Sequence, residues 1–77
     1  MKTKNLRRFI RETLDKHPKG INYEGLLSKI WQKDQNTPIK KIENTIKKMK
    51  KWEEIKVVVP NRETKEVIIC RVQKNPS

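Results

Sequence analysis

The apolar residues of this chain change their period once, near Trp52, and that change sets the order of its elements. Up to Trp52 they recur every three or four positions, the spacing of one helix face. From Ile55 onward they alternate or run together in β-branched stretches, the pattern of strands. Helical segments followed by a strand pair make an α+β chain.

The segments can be placed in turn. Leu6, Phe9, Ile10, Thr13 and Leu14 predict a first helix over roughly residues 4–17, with Thr3 as its N-cap. His17-Pro18-Lys19-Gly20 ends it, because the residue before proline avoids helix and glycine permits reversal. Ile21 is a candidate for a very short strand. Asn22 caps a second helix, about 23–33, with Tyr23, Leu26, Leu27, Ile30 and Trp31 on one side. Gly25, in its first turn, would permit a close backbone approach. After the polar turn Asp34-Gln35-Asn36, Thr37 is a good N-cap and Pro38 a favoured first residue. The third helix then runs from 38 to about 52, with Ile39, Ile42, Ile46 and Met49 as its core face. Ile55, Val57 and Val59 form a strand ended by Pro60-Asn61, and Val67 to Cys70 with Val72 form the returning strand. The whole is one domain, 1–77, with an ordered core of about 4–72, a mobile basic arm at 1–4 and a loose tail at 73–77.

Charge indicates the partner. Twenty Lys and Arg against nine Asp and Glu give +11. Such an excess repels itself in a compact domain, and a polyanion is the partner that makes it useful. A lysine-rich surface serving heat adaptation would carry balancing glutamates, and this one does not. The excess is also concentrated. Residues 37–52 carry six lysines and one glutamate, residues 1–20 carry seven basic and two acidic side chains, and residues 21–36 are neutral.

On a wheel of about 100° per residue, Asn44 lies opposite the Ile42, Ile46 and Met49 side of the third helix. Around it fall Thr37, Lys40, Lys41, Lys47, Lys48 and Lys51. Lysines neutralise phosphates and release counterions, an Asn amide can pair with adenine, and a Lys can reach guanine acceptors. Arg62 and Lys65, in the polar tip between the strands, are candidates for phosphate or the minor groove. Arg7, Arg8 and Arg11 are candidates to hold backbone from the first helix, and Lys2 and Lys4 extend the charge into the arm.

Other classes fare worse. A chain this short buries only about 60% of its surface, which leaves no room for a catalytic cleft, so no enzyme is expected. One histidine, His17, and one cysteine, Cys70, fall short of a zinc set, and the two glycines form no phosphate loop. No cofactor, metal or small-molecule ligand is implied. A single cysteine forms no internal disulfide, and no apolar run spans a membrane, so a cytoplasmic protein with no membrane partner is expected. Among the aromatics, Trp31 is core or rim, Tyr23 is core edge, and Trp52 closes the third helix as a candidate to lie over the hairpin.

The order helix, short strand, helix, three-residue turn, helix, hairpin resembles the winged helix-turn-helix family over residues 4 to 72. The likeness rests on Asp34-Gln35-Asn36 before Thr37-Pro38, and on the run Ile42, Ile46, Met49, Ile55 leading from the third helix into a strand. It departs where many members place a glycine after the third helix; here Trp52-Glu53-Glu54 must close that helix differently. The resemblance implies a three-helix bundle with a C-terminal β-hairpin wing, the third helix in the DNA major groove and the wing on the backbone nearby.

The function this implies is double-stranded DNA binding by a small stand-alone transcriptional regulator, as a monomer or homodimer, of a kind that suits a virus or plasmid. Two alternatives stand beside it. A non-specific architectural duplex binder, similar in fold, size and basicity to the globular domain of linker histones, would show little sequence preference and a steep salt slope. A protein adaptor would show an exposed apolar patch, with Trp31 or Trp52 standing free. RNA binding through the same face has little aromatic support. Lys40, Lys41 and Asn44 echo a Z-form DNA reader, but Lys48 stands where that pattern expects an aromatic.

Overall fold

The computed structural model describes residues 2–60, 63–64 and 66–72. Its elements are α1 (Thr3–Asp15), β1 (Ile21–Asn22), α2 (Tyr23–Lys33), α3 (Ile39–Lys51), β2 (Ile55–Val58) and β3 (Ile68–Arg71). Three helices pack with a three-stranded antiparallel sheet of order β1-β3-β2. The expected tail, 73–77, and wing residues Arg62 and Lys65 lie outside the described residues.

One core joins the elements. Leu6, Ile10 and Leu14 of α1 meet Leu26, Leu27 and Ile30 of α2, Ile42, Ile46 and Met49 of α3, Ile55 of β2 and Ile69 of β3, all buried. Phe9, Ile21, Tyr23, Trp31 and Val57 cover its margin. Trp31 sits at the rim with its Nε1 donating to the Thr37 carbonyl at 2.9 Å. Along β2 the burial alternates, with Ile55 inward and Lys56 outward, as a half-buried strand requires.

The core face of α3 differs from expectation by one position. Ile39 is 46% exposed, and Thr45 is buried in its place. Thr45 tolerates burial because its Oγ1 donates to the Lys41 carbonyl at 2.7 Å, which satisfies the hydroxyl within the helix and leaves its methyl to pack. Thr13 does the same to the Phe9 carbonyl on α1 at 2.8 Å.

Caps were also misplaced. Thr3 is the first residue of α1 rather than its cap; Lys2 holds the cap position without a side-chain hydrogen bond. Lys4 therefore belongs to the first helical turn, not to a free arm. Pro38 holds the cap position of α3, again without a side-chain bond, and Thr37 lies one residue further out. Asn22 caps α2 as expected, accepting from the Glu24 and Gly25 amides at 2.9 and 3.2 Å.

Ile21 does form the short strand, paired opposite Ile69, and the Tyr23 amide extends the contact to the Val67 carbonyl at 2.8 Å. The glycine this requires is Gly20, not Gly25. Gly20 has φ +94°, and a Cβ there would lie 2.5 Å from Cys70 Sγ and 2.7 Å from Ile68 Cγ2. A Cβ on Gly25 would meet only Ile21 at ordinary contact distance.

The glycine missing after α3 is replaced by Glu53, at φ 58°. The Glu53 amide donates to the Lys50 carbonyl at 3.0 Å and the Glu54 amide to the Met49 carbonyl at 2.9 Å. That pair of bonds is the Schellman closure of a helix end. It turns the chain directly from α3 into β2.

Candidate nucleic-acid interface

Four side chains define the inward side of α3: Ile42, Thr45, Ile46 and Met49. The wheel centred on them puts Lys40, Lys47 and Lys51 at the middle of the outward side, beside Asn44. Lys40, Asn44, Lys47, Lys48 and Lys51 are exposed and Lys41 is half-buried. Thr37 does not join them. It is 3% exposed, packed behind the start of the helix, and cannot present its side chain to a partner.

Ion pairing separates arginine from lysine. Arg7 donates from Nε to Glu54 Oε2 at 2.9 Å and from Nη2 to Glu54 Oε1, with its guanidinium 4.7 Å from the Trp52 ring centroid. Arg8 pairs with Glu12 at 3.3 Å on exposed surface, and Arg71 with Asp15 at 3.3 Å. The bonds from Arg7 hold the Glu54 carboxyl below its usual range, against partial desolvation and with smaller help from the Arg11 and Arg71 charges. Arg7 thus fastens α1 to the corner between α3 and β2, a structural role beyond the one its place in the sequence suggests. No α3 lysine takes part in an ion pair among the described residues.

The placement of these lysines works against helix stability at one end. Lys40 and Lys41 stand in the first turn of α3, which has no acidic residue. Positive charge at that end opposes the helix dipole, by about 0.3–1 kcal/mol per group. Lys48, Lys50 and Lys51 in the last turn are favoured by the same dipole. The first turn of α1 repeats the unfavourable arrangement with Lys4 and no acid.

These two ends meet. Thr3 of α1 and Pro38, Lys40, Lys41, Asn44, Thr45 and Lys48 of α3 line one shallow depression. A second, lined by Lys4, Asn5, Arg7, Arg8 and Arg11, continues along α1. Thr3 was not foreseen as part of this surface, and its only sequence signal was that of a helix cap. Lys2 and Lys4, on either side of Thr3, are exposed. Arg11 is half-buried.

The opposite edge of α3 carries Ile39, Glu43 and Lys50. Tyr23 lies beyond it, and burial, then the Glu43 carboxylate, raise its phenol above the ordinary pKa. A depression there is lined by Asn22, Tyr23, Glu24, Thr64, Glu66 and Val67.

Among the described residues, no three His, Cys, Asp or Glu side chains gather to hold a metal ion. No described helix is long and apolar enough to cross a membrane. Comparison with known protein families, characterised proteins and solved structures finds no match for this chain.

Proposed function

We propose that this protein binds double-stranded DNA through the outward face of α3, as a small winged-helix module. The observation that carries this reading is the set of exposed lysines on α3, unpaired among the described residues while Arg7, Arg8 and Arg71 hold carboxylates. A helix that keeps Lys40 and Lys41 against its own dipole gains from an anion that neutralises them. Asn44, within this set, supplies an amide for a base edge. The strand order β1-β3-β2 with three preceding or interleaved helices supports the winged-helix reading.

The adaptor reading gains little. Trp52 is 50% exposed, but one face lies under Arg7. Ile39 stands at the start of α3, roughly 20 Å from Trp52 by helical rise, so those two do not share a patch; the other exposed large apolar residues, Val58 and Val59, lie at the end of β2.

Fluorescence anisotropy tests the proposal, with random duplex DNA, single strand and duplex RNA compared across a salt series. Tightest binding to duplex DNA is expected, with a linear fall of log affinity against log salt. No complex with any duplex at low salt would remove the proposal, and preference for duplex RNA would reassign the face.

A further inference from the structure

We propose that the DNA lies across α3 toward the first turn of α1, and away from the β2–β3 hairpin. This rests on α3 being the nucleic-acid face, and it fixes which neighbour shares the backbone. The two edges of α3 differ in chemistry. On the α1 edge, Lys41, Asn44 and Lys48 continue over Thr3, with Lys2 and Lys4 on either side of it, and the second depression adds Arg8 and Arg11. A phosphate strand leaving α3 on this side meets Lys4 and then Arg11 along α1, while Arg7 holds Glu54 and Arg8 pairs with Glu12.

On the other edge, Glu43 stands beside Lys50 and one turn from Lys47, and the next surface holds Glu24 and Glu66 around Tyr23. The hairpin tip adds no net charge, since residues 61–66 carry two basic and two acidic side chains. A strand leaving α3 on that side would pass three carboxylates. Like charges set face to face reject a partner, and complementary ones steer and orient it. The two first turns, α1 and α3, also converge on the favoured edge, neither with an acid of its own, so both helix dipoles and their lysines favour a phosphate there.

Three double variants separate the outcomes in a salt-series binding assay on a short random duplex. Lys2 and Lys4 are exposed and make no ion pair among the described residues, so Lys2→Gln/Lys4→Gln leaves the fold intact, as its melting curve should show. That variant should lose about tenfold in affinity and lower the salt slope by about two. Arg62→Gln/Lys65→Gln should stay within about twofold of the parent. Tenfold loss in the hairpin variant with none in the α1 variant overturns the proposal, as does parental binding by the α1 variant. Lys40→Gln/Lys47→Gln removes the centre of α3, shared by either orientation. If it binds as the parent does, the assignment of α3 itself fails; if it loses binding while the α1 variant does not, only the orientation fails.

Discussion

Replacing Glu53 by glycine should stabilise the protein. Glu53 holds the turn that ends α3, at φ 58°, where the Glu53 and Glu54 amides close on the Lys50 and Met49 carbonyls. In that conformation a Cβ crowds the following carbonyl, at a cost of roughly 1–2 kcal/mol. Glycine removes the crowding but returns roughly 0.5–1 kcal/mol, because its unfolded chain is freer. The balance favours E53G by about 0.5–1 kcal/mol. In a domain of this size 1 kcal/mol moves Tm by roughly 4–8 °C, so a rise of about 2–8 °C follows. The Glu53 carboxylate is exposed and makes no ion pair among the described residues, so its removal breaks no contact. Thermal and urea unfolding followed by far-UV circular dichroism measure the effect, with E53A alongside. Alanine loses the same charge but keeps the Cβ, and should gain nothing. A Tm for E53G at or below that of the parent, or an equal rise in E53A, refutes the backbone account.

Gly20→Ala should act in the opposite sense: its Cβ would meet Cys70 Sγ and Ile68 Cγ2 at a φ of +94°, and the urea midpoint should fall by the equivalent of about 2–4 kcal/mol. Glu54→Gln should weaken the protein at neutral pH and flatten its acid limb. The folded pKa of Glu54 is depressed, chiefly by the Arg7 bonds, so its stabilisation is full above the unfolded glutamate value near ~4.3 and is lost as pH falls through the folded value. Unfolding free energy measured against pH should therefore show a smaller acid loss in the variant; an unchanged acid limb contradicts that linkage. Lys40→Ala, Lys47→Ala and Lys51→Ala should each weaken binding to every duplex and shallow the salt slope by about one. Asn44→Ala should instead change preference at one base pair by roughly 1–3 kcal/mol, and equal losses on all sequences would remove Asn44 as a base reader.

Element order was legible because the apolar period is strong: Leu6 to Leu14, Leu26 to Ile30 and Ile42 to Met49 are all buried at helical spacing. The errors fall where a polar residue solved its own hydrogen bond. Nothing in spacing alone says that Thr45 returns its hydroxyl to Lys41 and is buried, while Ile39 is left exposed. Pairing across the chain was equally hidden. Arg7 and Glu54 are 47 positions apart, so the charge pattern of α1 showed a candidate phosphate ligand where the fold has an internal clasp. The crowding at Gly20 likewise depends on the later strand β3 passing over it, whereas the chain around Gly25 suggested a close approach that does not occur. Within the candidate site, the exposed lysines of α3 and Asn44 were visible from the wheel, while the contribution of Thr3 required knowing how α1 meets α3.

The same surface bears on how selective binding can be. A side chain that reads a base must be held still, and immobilising a free lysine costs about 2 kcal/mol of rotamer entropy. No α3 lysine is held by an ion pair among the described residues, so each is better suited to phosphates, which demand no fixed geometry. Arginine, whose rigid fork reads guanine, is absent from α3, and Arg7 nearby is committed to Glu54 and Trp52. Asn44 remains, and one amide–adenine pair discriminates by roughly 1–3 kcal/mol, about five- to 150-fold. Regulators that find one site typically exceed their own non-specific affinity by about a thousandfold or more. We therefore expect the best duplex selected from a random pool to bind less than about a thousandfold tighter than random duplex at the same salt, closer to an architectural binder than to a regulator. A ratio above about ten thousand would require base contacts that the lysines and Asn44 of α3 do not supply.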